Sequence, residues 1–370
     1  MRLLMAGVSA PSHIYPSLAV LAELVRRGHE VTYVVGERHR ALVEPTGATV
    51  VGHETIMPIG EEPWPEDPGA AMRVFLDEAI AVLPHITRLE PADAVLYDIG
   101  GFAGHVAAHR WGVPAVQLSP ASVAWEGYED DMAEFYDTLK ASDSGKAYFA
   151  TLRGWLDEND VALDNEAFLG KPAACVVLIP RALQPNADRV SDRYVFAGPA
   201  IDESRKQGWT PPPGEQPLVY VSFGTAYTDR ADLYETFANE LGDDHRVVIA
   251  TGKVDPATLP DTVSAARTQP QLDVLEHADV FITHAGMGGA SEALWYGVPV
   301  VAAPQAVDQF ANAATLEAIG AGVQLGETPV REAVAAARAC APRARGLQAE
   351  VRREGGVDTA ADAVGRLARG

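Results

Sequence analysis

The run Val280-Phe281-Ile282-Thr283 gives way to His284-Ala285-Gly286-Met287-Gly288-Gly289 and then to Ala290-Ser291-Glu292-Ala293-Leu294. A short β-branched apolar run, then glycines, then good helix formers reads as strand, tight turn and helix start. Glycines beside the N–H groups of a helix N-terminus let phosphate oxygens approach closely. His284 stands where it can donate to the same anion. An ordinary packed turn between strand and helix would carry the same residues. A second polar corner follows at Pro304-Gln305-Ala306-Val307-Asp308-Gln309-Phe310, however, again a strand end running into a helix. Two such corners close in sequence favour a ligand-binding edge.

The same grammar runs through the whole chain. Leu3 to Val8 reads as a buried strand and Ser9 to Tyr15 as a polar loop. Pro16 fits the first turn of a helix whose apolar face is Leu18, Val20, Leu21, Leu24 and Val25, with Gly28 ending it. Strands are expected over 31–35, near Thr49, and over 94–97, 113–118, 175–179 and 194–197. Helices are expected over 37–45, 70–83 and 102–111. The Pro/Gly/Glu-rich interval 60–68 reads as an exposed loop; it and 143–148 are placed to gate a pocket. Past a Pro- and Gly-rich joint, strands are expected over 218–223, 247–250, 280–283 and 298–302. Helices follow over 231–241, 271–276 and 309–319 and up to Trp295, with a largely helical tail from Arg331.

At 370 residues the chain exceeds what one core usually supports. The expected fold class is α/β, with two Rossmann-like parallel-sheet domains facing across a cleft. The boundaries are an N-terminal domain over 1–200, a linker over 201–216 and a C-terminal domain over 217–352. A last helix over 353–370 is expected to pack back toward the first domain.

Twenty-nine basic against 51 acidic residues leave a formal charge of −22. That balance argues against nucleic acid or an anionic membrane as partner, since either needs a basic footprint. Cys175 and Cys340 lie far apart in apolar contexts and read as buried thiols of a cytoplasmic protein. Met1 to Met5 reads as the beginning of a strand rather than a leader, and no apolar run reaches the ~18 residues of a membrane span.

For proton chemistry the first half offers His13, after the first strand, and Asp98, after a later one. Both belong to one sheet edge, where a carboxylate can orient a neutral imidazole as general base. Many loops of this kind carry a His and an Asp that never meet, so the spacing alone leaves the pairing open. His105 and His109 share a helix face without a carboxylate or thiolate partner and read as surface or interface histidines. Tyr128, Met132 and Phe135 open an aromatic, acidic helical stretch reaching Leu156. It suits an apolar acceptor pocket and equally a domain core. Ser222, Gly224 and Thr225 form another polar strand end able to face a phosphate. The sequence holds no nucleophile elbow, no Walker lysine, no compact metal-ligand cluster and no G-x-G-x-x-G run.

Several stretches together carry a family resemblance. They are Ser12-His13-Ile14-Tyr15-Pro16-Ser17-Leu18, the segment from Leu118-Ser119-Pro120 to Trp125-Glu126-Gly127-Tyr128-Glu129, and Leu178-Ile179-Pro180-Arg181-Ala182-Leu183-Gln184-Pro185. Val221-Ser222-Phe223-Gly224-Thr225 and the corners at 283–289 and 304–310 complete the set. Over essentially its whole length the chain resembles the macrolide glycosyltransferases, family-1 enzymes of the GT-B fold. The resemblance implies transfer of a sugar from a nucleotide diphosphate, UDP-glucose or a dTDP-deoxysugar, to a hydroxyl of a macrolide or similar polyketide.

In that reading His13 is the base and Asp98 its orienting carboxylate. Ser222, Gly224, Thr225, His284, Gly286, Gly288 and Gly289 hold the donor's phosphates, and Ser291 makes a further donor contact. Glu292 binds its ribose, and Asp308 and Gln309 its sugar hydroxyls. Ser12, Trp125, Tyr128, Met132 and Phe135 line the acceptor site. The implied reaction is inverting and metal-independent, with no tightly bound cofactor. It serves antibiotic biosynthesis or resistance, and a homodimer is left open. Thr268 departs from the pattern, standing where the family stacks an aromatic on the nucleobase. Two other readings fit the scaffold: a nucleotide-sugar epimerase or hydrolase, and a non-catalytic auxiliary of another glycosyltransferase.

Overall fold

The computed structural model describes residues 1–58, 64–225, 228–306 and 308–369. The loop expected over 60–68 therefore lies partly outside the described residues. The chain divides into two compact units. One comprises residues 1–178, 186–200 and 356–370, the other 179–185 and 201–355.

In the first unit the strands are β1 (Arg2–Ala6), β2 (Glu30–Gly36), β3 (Thr49–His53), β4 (Ala94–Tyr97), β5 (Ala115–Ser119), β6 (Cys175–Val177) and β7 (Tyr194–Phe196). Its helices are α1 (Pro11–Arg26), α2 (Arg40–Val43), α3 (Pro68–Ile86), α4 (Phe102–Trp111), α5 (Tyr128–Asp131), α6 (Ala133–Ala141), α7 (Asp143–Glu158) and α8 (Asn165–Gly170). The sheet is parallel in the order β3-β2-β1-β4-β5-β6-β7. Alternation along β1 builds a core on each face. Leu3 and Met5 join the layer containing Leu18, Leu21 and Leu24 of α1. Leu4 and Ala6 join the layer containing Leu76 of α3, Val106 of α4 and Leu152 of α7.

The second unit holds β8 (Leu218–Ser222), β9 (Arg246–Ala250), β10 (Val263–Ala266), β11 (Val280–Thr283), β12 (Val300–Ala302) and β13 (Gly322–Gln324). Its helices are α9 (Ala231–Leu241), α10 (Gln271–His277), α11 (Met287–Tyr296), α12 (Gln309–Ala318), α13 (Val330–Ala339) and α14 (Ala341–Arg353). The sheet is parallel in the order β10-β9-β8-β11-β12-β13. The chain then returns to the first unit as α15 (Gly356–Leu367), whose Ala360, Ala363 and Val364 share the core layer of α1. Arg27 after α1 pairs with Asp358 and Asp362 of this helix.

The strand order of each sheet reverses in the middle, in one between β1 and β4, in the other between β8 and β11. Open parallel sheets bind ligands beyond the strand C-termini at such switch points. The residues following these four strands therefore decide what each unit can do.

Several local expectations are corrected. α1 starts at Pro11, so Pro16 lies inside the helix and not in its first turn. Pro11 takes the N-terminal position where a missing N–H is harmless. The helix expected over 37–45 breaks into a short α-helix flanked by 3₁₀ turns, ending at Gly47 with φ 79°. Residues 143–148 are the first turns of α7 rather than a gating loop, because the Ser142 hydroxyl caps the Gly145 N–H at 3.0 Å. His105 is half-buried against aromatic neighbours rather than a plain surface residue. Its ring stacks between Tyr97 and Phe168 at 4.9 and 4.6 Å, and burial pushes its pKa down to about 4. Cys175 is buried, but Cys340 at the end of α13 is only half-buried. Strands β10 and β13 had no sequence signal. One is Val-Ser-Ala-Ala, and the other opens on Gly322, where a Cβ would strike the Val300 carbonyl.

Candidate active site

The first unit's switch point brings two expected residues together. Asp98 follows β4 and His13 lies in the first turn of α1, and Asp98 Oδ2 is 2.6 Å from His13 Nδ1. Asp98 is almost fully buried, whereas His13 keeps about a fifth of its side chain exposed. The carboxylate also accepts the Val8 N–H at 3.3 Å and the Gly100 N–H at 3.1 Å. Gly7 permits this nesting, since a Cβ there would sit 3.3 Å from the carboxyl carbon. Three donors on one buried carboxylate fix its orientation. It in turn fixes the imidazole with Nδ1–H toward Asp98, which makes Nε2 the basic nitrogen.

The loop carrying His13 is itself anchored. Ser9 is fully buried, and its Oγ accepts the Gly36 N–H at 2.9 Å and meets His53 Nε2 at 3.3 Å. The Ser9 carbonyl accepts from His39 Nε2 at 3.0 Å. Glu78, also buried, accepts the Thr55 hydroxyl at 2.7 Å and the Ile56 N–H at 2.9 Å. Phe75 lies 6.1 Å from the His13 ring and Trp64 lies 5.3 Å from Phe75, giving the base an aromatic neighbourhood. Sequence reasoning missed Ser9, His53, Trp64 and Phe75. Their partners sit from 11 to more than 60 positions away, and no local pattern marks them.

The expected acceptor residues are arranged as follows. Ser12 is exposed, one position before His13. Trp125 packs edge-on against Tyr128 at 4.9 Å and donates from Nε1 to Asp131 at 2.6 Å. Asp131 also pairs with Arg189 at 2.9 Å. Tyr128 and Phe135 both lie edge-on to Tyr136. Phe135 is 45% exposed, a large apolar ring left facing outward, and Met132 is half-buried. Farther on, Tyr148, Leu152, Trp155 and Leu156 are core residues instead.

At the second unit's switch point, Ser222 and Thr283 are register partners at the ends of β8 and β11. The His284 ring lies against both following turns. A Cβ on Gly224 would come within 2.8 Å of its Cε1, and one on Gly286 would collide with its Nε2. Both positions therefore need glycine, and at Gly224 φ is also +72°. Burial pushes the His284 pKa down to about 4, while its bond to the Ser222 backbone opposes the shift. The ring is thus a neutral donor near pH 7. Ala285 is buried with φ +61°, a left-handed conformation costing roughly 1–2 kcal/mol outside glycine. Asn312 Nδ2 holds its carbonyl at 3.1 Å.

Helix α11 starts at Met287, and Gly286 before it provides no side-chain cap. Its first N–H groups thus lack a side-chain cap, and the helix dipole favours an anion there. Gly288 is exposed, with nothing within 4 Å of where its Cβ would be. Thr225 is exposed, and the Ser291 hydroxyl is buried without a hydrogen-bond partner among the described residues. Glu292 is held on both carboxylate oxygens, by Arg205 Nη1 at 3.0 Å and by Gln271 Nε2. Gln309 is buried, and its carbonyl accepts the N–H groups of Gln305 at 2.7 Å and Ala306 at 3.1 Å. Exposed Asp308 accepts from Asn312 at 3.1 Å. Thr268 is exposed. Among the described residues no three His, Cys, Asp or Glu side chains cluster to hold a metal ion, and no helix is long and apolar enough to cross a membrane.

Residues 165–336 match the family model of UDP-glucoronosyl and UDP-glucosyl transferases. The oleandomycin glycosyltransferase of Streptomyces antibioticus is 39% identical, over 97% of this chain and 89% of that protein. The chain is a family-1 glycosyltransferase of the GT-B fold. Its fold agrees closely with that of the crystallised kitacinnamycin glycosyltransferase, at TM-score 0.91, 36% identity and 99% coverage of both chains. CalG4, the calicheamicin glycosyltransferase, aligns at TM-score 0.86 and 30% identity, covering 99% of this chain and 98% of that one. As a family-1 glycosyltransferase the protein uses a nucleotide-diphosphate sugar as donor to an acceptor. The relatives do not favour the epimerase, hydrolase and auxiliary readings.

Proposed function

We propose that this glycosyltransferase inverts the anomeric centre of a UDP- or dTDP-linked sugar while transferring it to a hydroxyl of a macrolide or similar polyketide. The observation that carries this reading is the 2.6 Å bond between His13 Nδ1 and a buried Asp98 carboxylate. His13 Nε2 takes the acceptor hydroxyl's proton as that oxygen attacks the anomeric carbon and the bond to the diphosphate breaks. Asp98 stabilises the imidazolium that forms. The departing diphosphate gathers charge, which the α11 N-terminus and the neutral donor His284 offset without a metal ion. One displacement at that carbon inverts its configuration.

An apolar acceptor is favoured by the aromatic groups on the first unit, Trp64 and Phe75 near the base and Trp125, Tyr128 and Phe135 beyond α4. Ser12 and Met132 complete the proposed lining. Similarity to an oleandomycin and a calicheamicin glycosyltransferase supports a role in antibiotic biosynthesis or resistance, which in this reading is exercised in the cytoplasm. The test is a product screen of purified protein with UDP- and dTDP-sugars against macrolide and aromatic polyketide acceptors, with and without EDTA. The expected result is a glycoside of inverted configuration whose yield EDTA leaves unchanged. A retained anomeric configuration, dependence on a metal, or no glycoside from protein that binds nucleotide would overturn the reading.

A further inference from the structure

We infer that Arg205 is a binding residue for the donor nucleoside, presenting its guanidinium plane to it beside the anion-binding turn. The inference rests on the reading of the α11 N-terminus as the diphosphate site.

Glu292 lies three and four residues after Gly289 and Gly288, so it shares their helix face about one turn, roughly 5.4 Å, farther along. In a nucleoside diphosphate the ribose and base follow the phosphates, so this is the region a nucleoside reaches. Yet the Glu292 carboxylate does not simply face outward. Arg205 holds Oε1 at 3.0 Å, and Gln271 holds Oε2 while accepting the Tyr220 hydroxyl at 3.2 Å. The acid is 12% exposed and the arginine 31%, so the group offered at this edge is mainly the guanidinium.

Arg205 is also fixed through its own chain. The buried Asp273 carboxylate accepts the N–H groups of Gln207 at 3.0 Å, Gly208 at 2.9 Å and Trp209 at 3.1 Å. Lys206 pairs with Glu203 at 2.9 Å and with Glu276 at 3.2 Å. A planar cation held by Glu292, on a backbone segment pinned by Asp273, makes a preorganised platform, and guanidinium planes stack on nucleobases much as aromatic rings do. No ring can play that part from position 268, where the exposed side chain is threonine.

Calorimetric titration of the full chain with UDP, dTDP and inorganic pyrophosphate tests this. For Arg205→Ala the expected result is at least roughly tenfold weaker UDP and dTDP binding, with pyrophosphate affinity kept within about twofold. Arg205→Lys keeps a cation opposite Glu292 but lacks the plane. It is expected to stay weakened, and it serves in place of the alanine variant if that misfolds. Unchanged nucleotide affinity in the variants, an equal loss for pyrophosphate, or full recovery with lysine would overturn the assignment. If wild-type protein binds neither UDP nor dTDP, the diphosphate reading falls and this inference with it. Wild-type binding with indifferent variants removes the role of Arg205 alone.

Discussion

Asp98 and His13, 85 positions apart, meet at 2.6 Å because the first sheet places β1 and β4 side by side and the two residues follow those strands. The carboxylate is held by the Val8 and Gly100 N–H groups before it touches the imidazole. Replacing Asp98 by Asn keeps the shape but removes the charge that orients the ring and stabilises its cation. The expected outcome is a kcat lower by about 10²–10⁴-fold, with UDP affinity unchanged. Steady-state kinetics beside nucleotide titration separate the two. A kcat near wild type would mean that this pair does not move the proton.

Gly288 makes a sharper test of the second unit. Its backbone is helical, and space is open where a Cβ would go, so the protein's own packing gives no reason for glycine there. Alanine is favoured over glycine in helices by up to about 1 kcal/mol. Gly288→Ala is therefore expected to leave the thermal midpoint unchanged or raised. Nucleotide diphosphates are expected to bind at least roughly tenfold more weakly, because the methyl occupies space reserved for phosphate oxygens. Melting curves with and without UDP show both effects, and retained affinity would place the phosphates elsewhere.

Ser9 holds the His13 loop to two neighbouring strand ends. Ser9→Ala strands the Gly36 N–H and His53 Nε2, both buried groups. The expected cost is about 1–3 kcal/mol per orphaned group, read from denaturant midpoints. The activity loss should fall on kcat rather than on nucleotide affinity. His53→Gln, which can still accept from the Ser9 hydroxyl, is expected to lose less than His53→Leu. Equal losses in the two His53 variants would show that this hydrogen bond does not matter.

These residues also mark what the sequence could disclose. Asp98 and the turn at 284–289 stand directly after apolar runs and His13 a few residues past another, so strand ends nominate them, although the spacing does not show that His13 and Asp98 meet. The Ser9–His53 contact depends on β1, β2 and β3 lying in register, which no short pattern records. Arg205 was hidden for another reason. Its stretch is rich in proline, glycine and charge and reads as linker, whereas the Asp273 bonds to residues 207–209 and the Lys206 ion pairs reveal a fixed segment. Weak β formers concealed β10, and a strand of three residues concealed β13. Ala285 gave no sign of its left-handed backbone, since alanine carries no local preference for that conformation.

Glu354, at the end of α14, gives the protein a measurable pH dependence. Its carboxyl accepts the Arg181 N–H at 3.1 Å within the second unit. Burial pushes its pKa up from the usual 4.5 to about 7; the Arg181 contact opposes the rise and the nearby Glu350 charge adds to it. A group whose pKa is higher folded than unfolded binds its proton more tightly in the folded state. Its stabilisation is fully present below about pH 4.5 and is lost as pH rises through about 7. Glu354→Gln keeps an oxygen for the Arg181 N–H but cannot ionise. Denaturant midpoints measured from about pH 5 to about pH 8 should fall more in wild type than in the variant, which ends the more stable at the upper limit. Parallel curves for the two proteins would show that Glu354 does not titrate across this range.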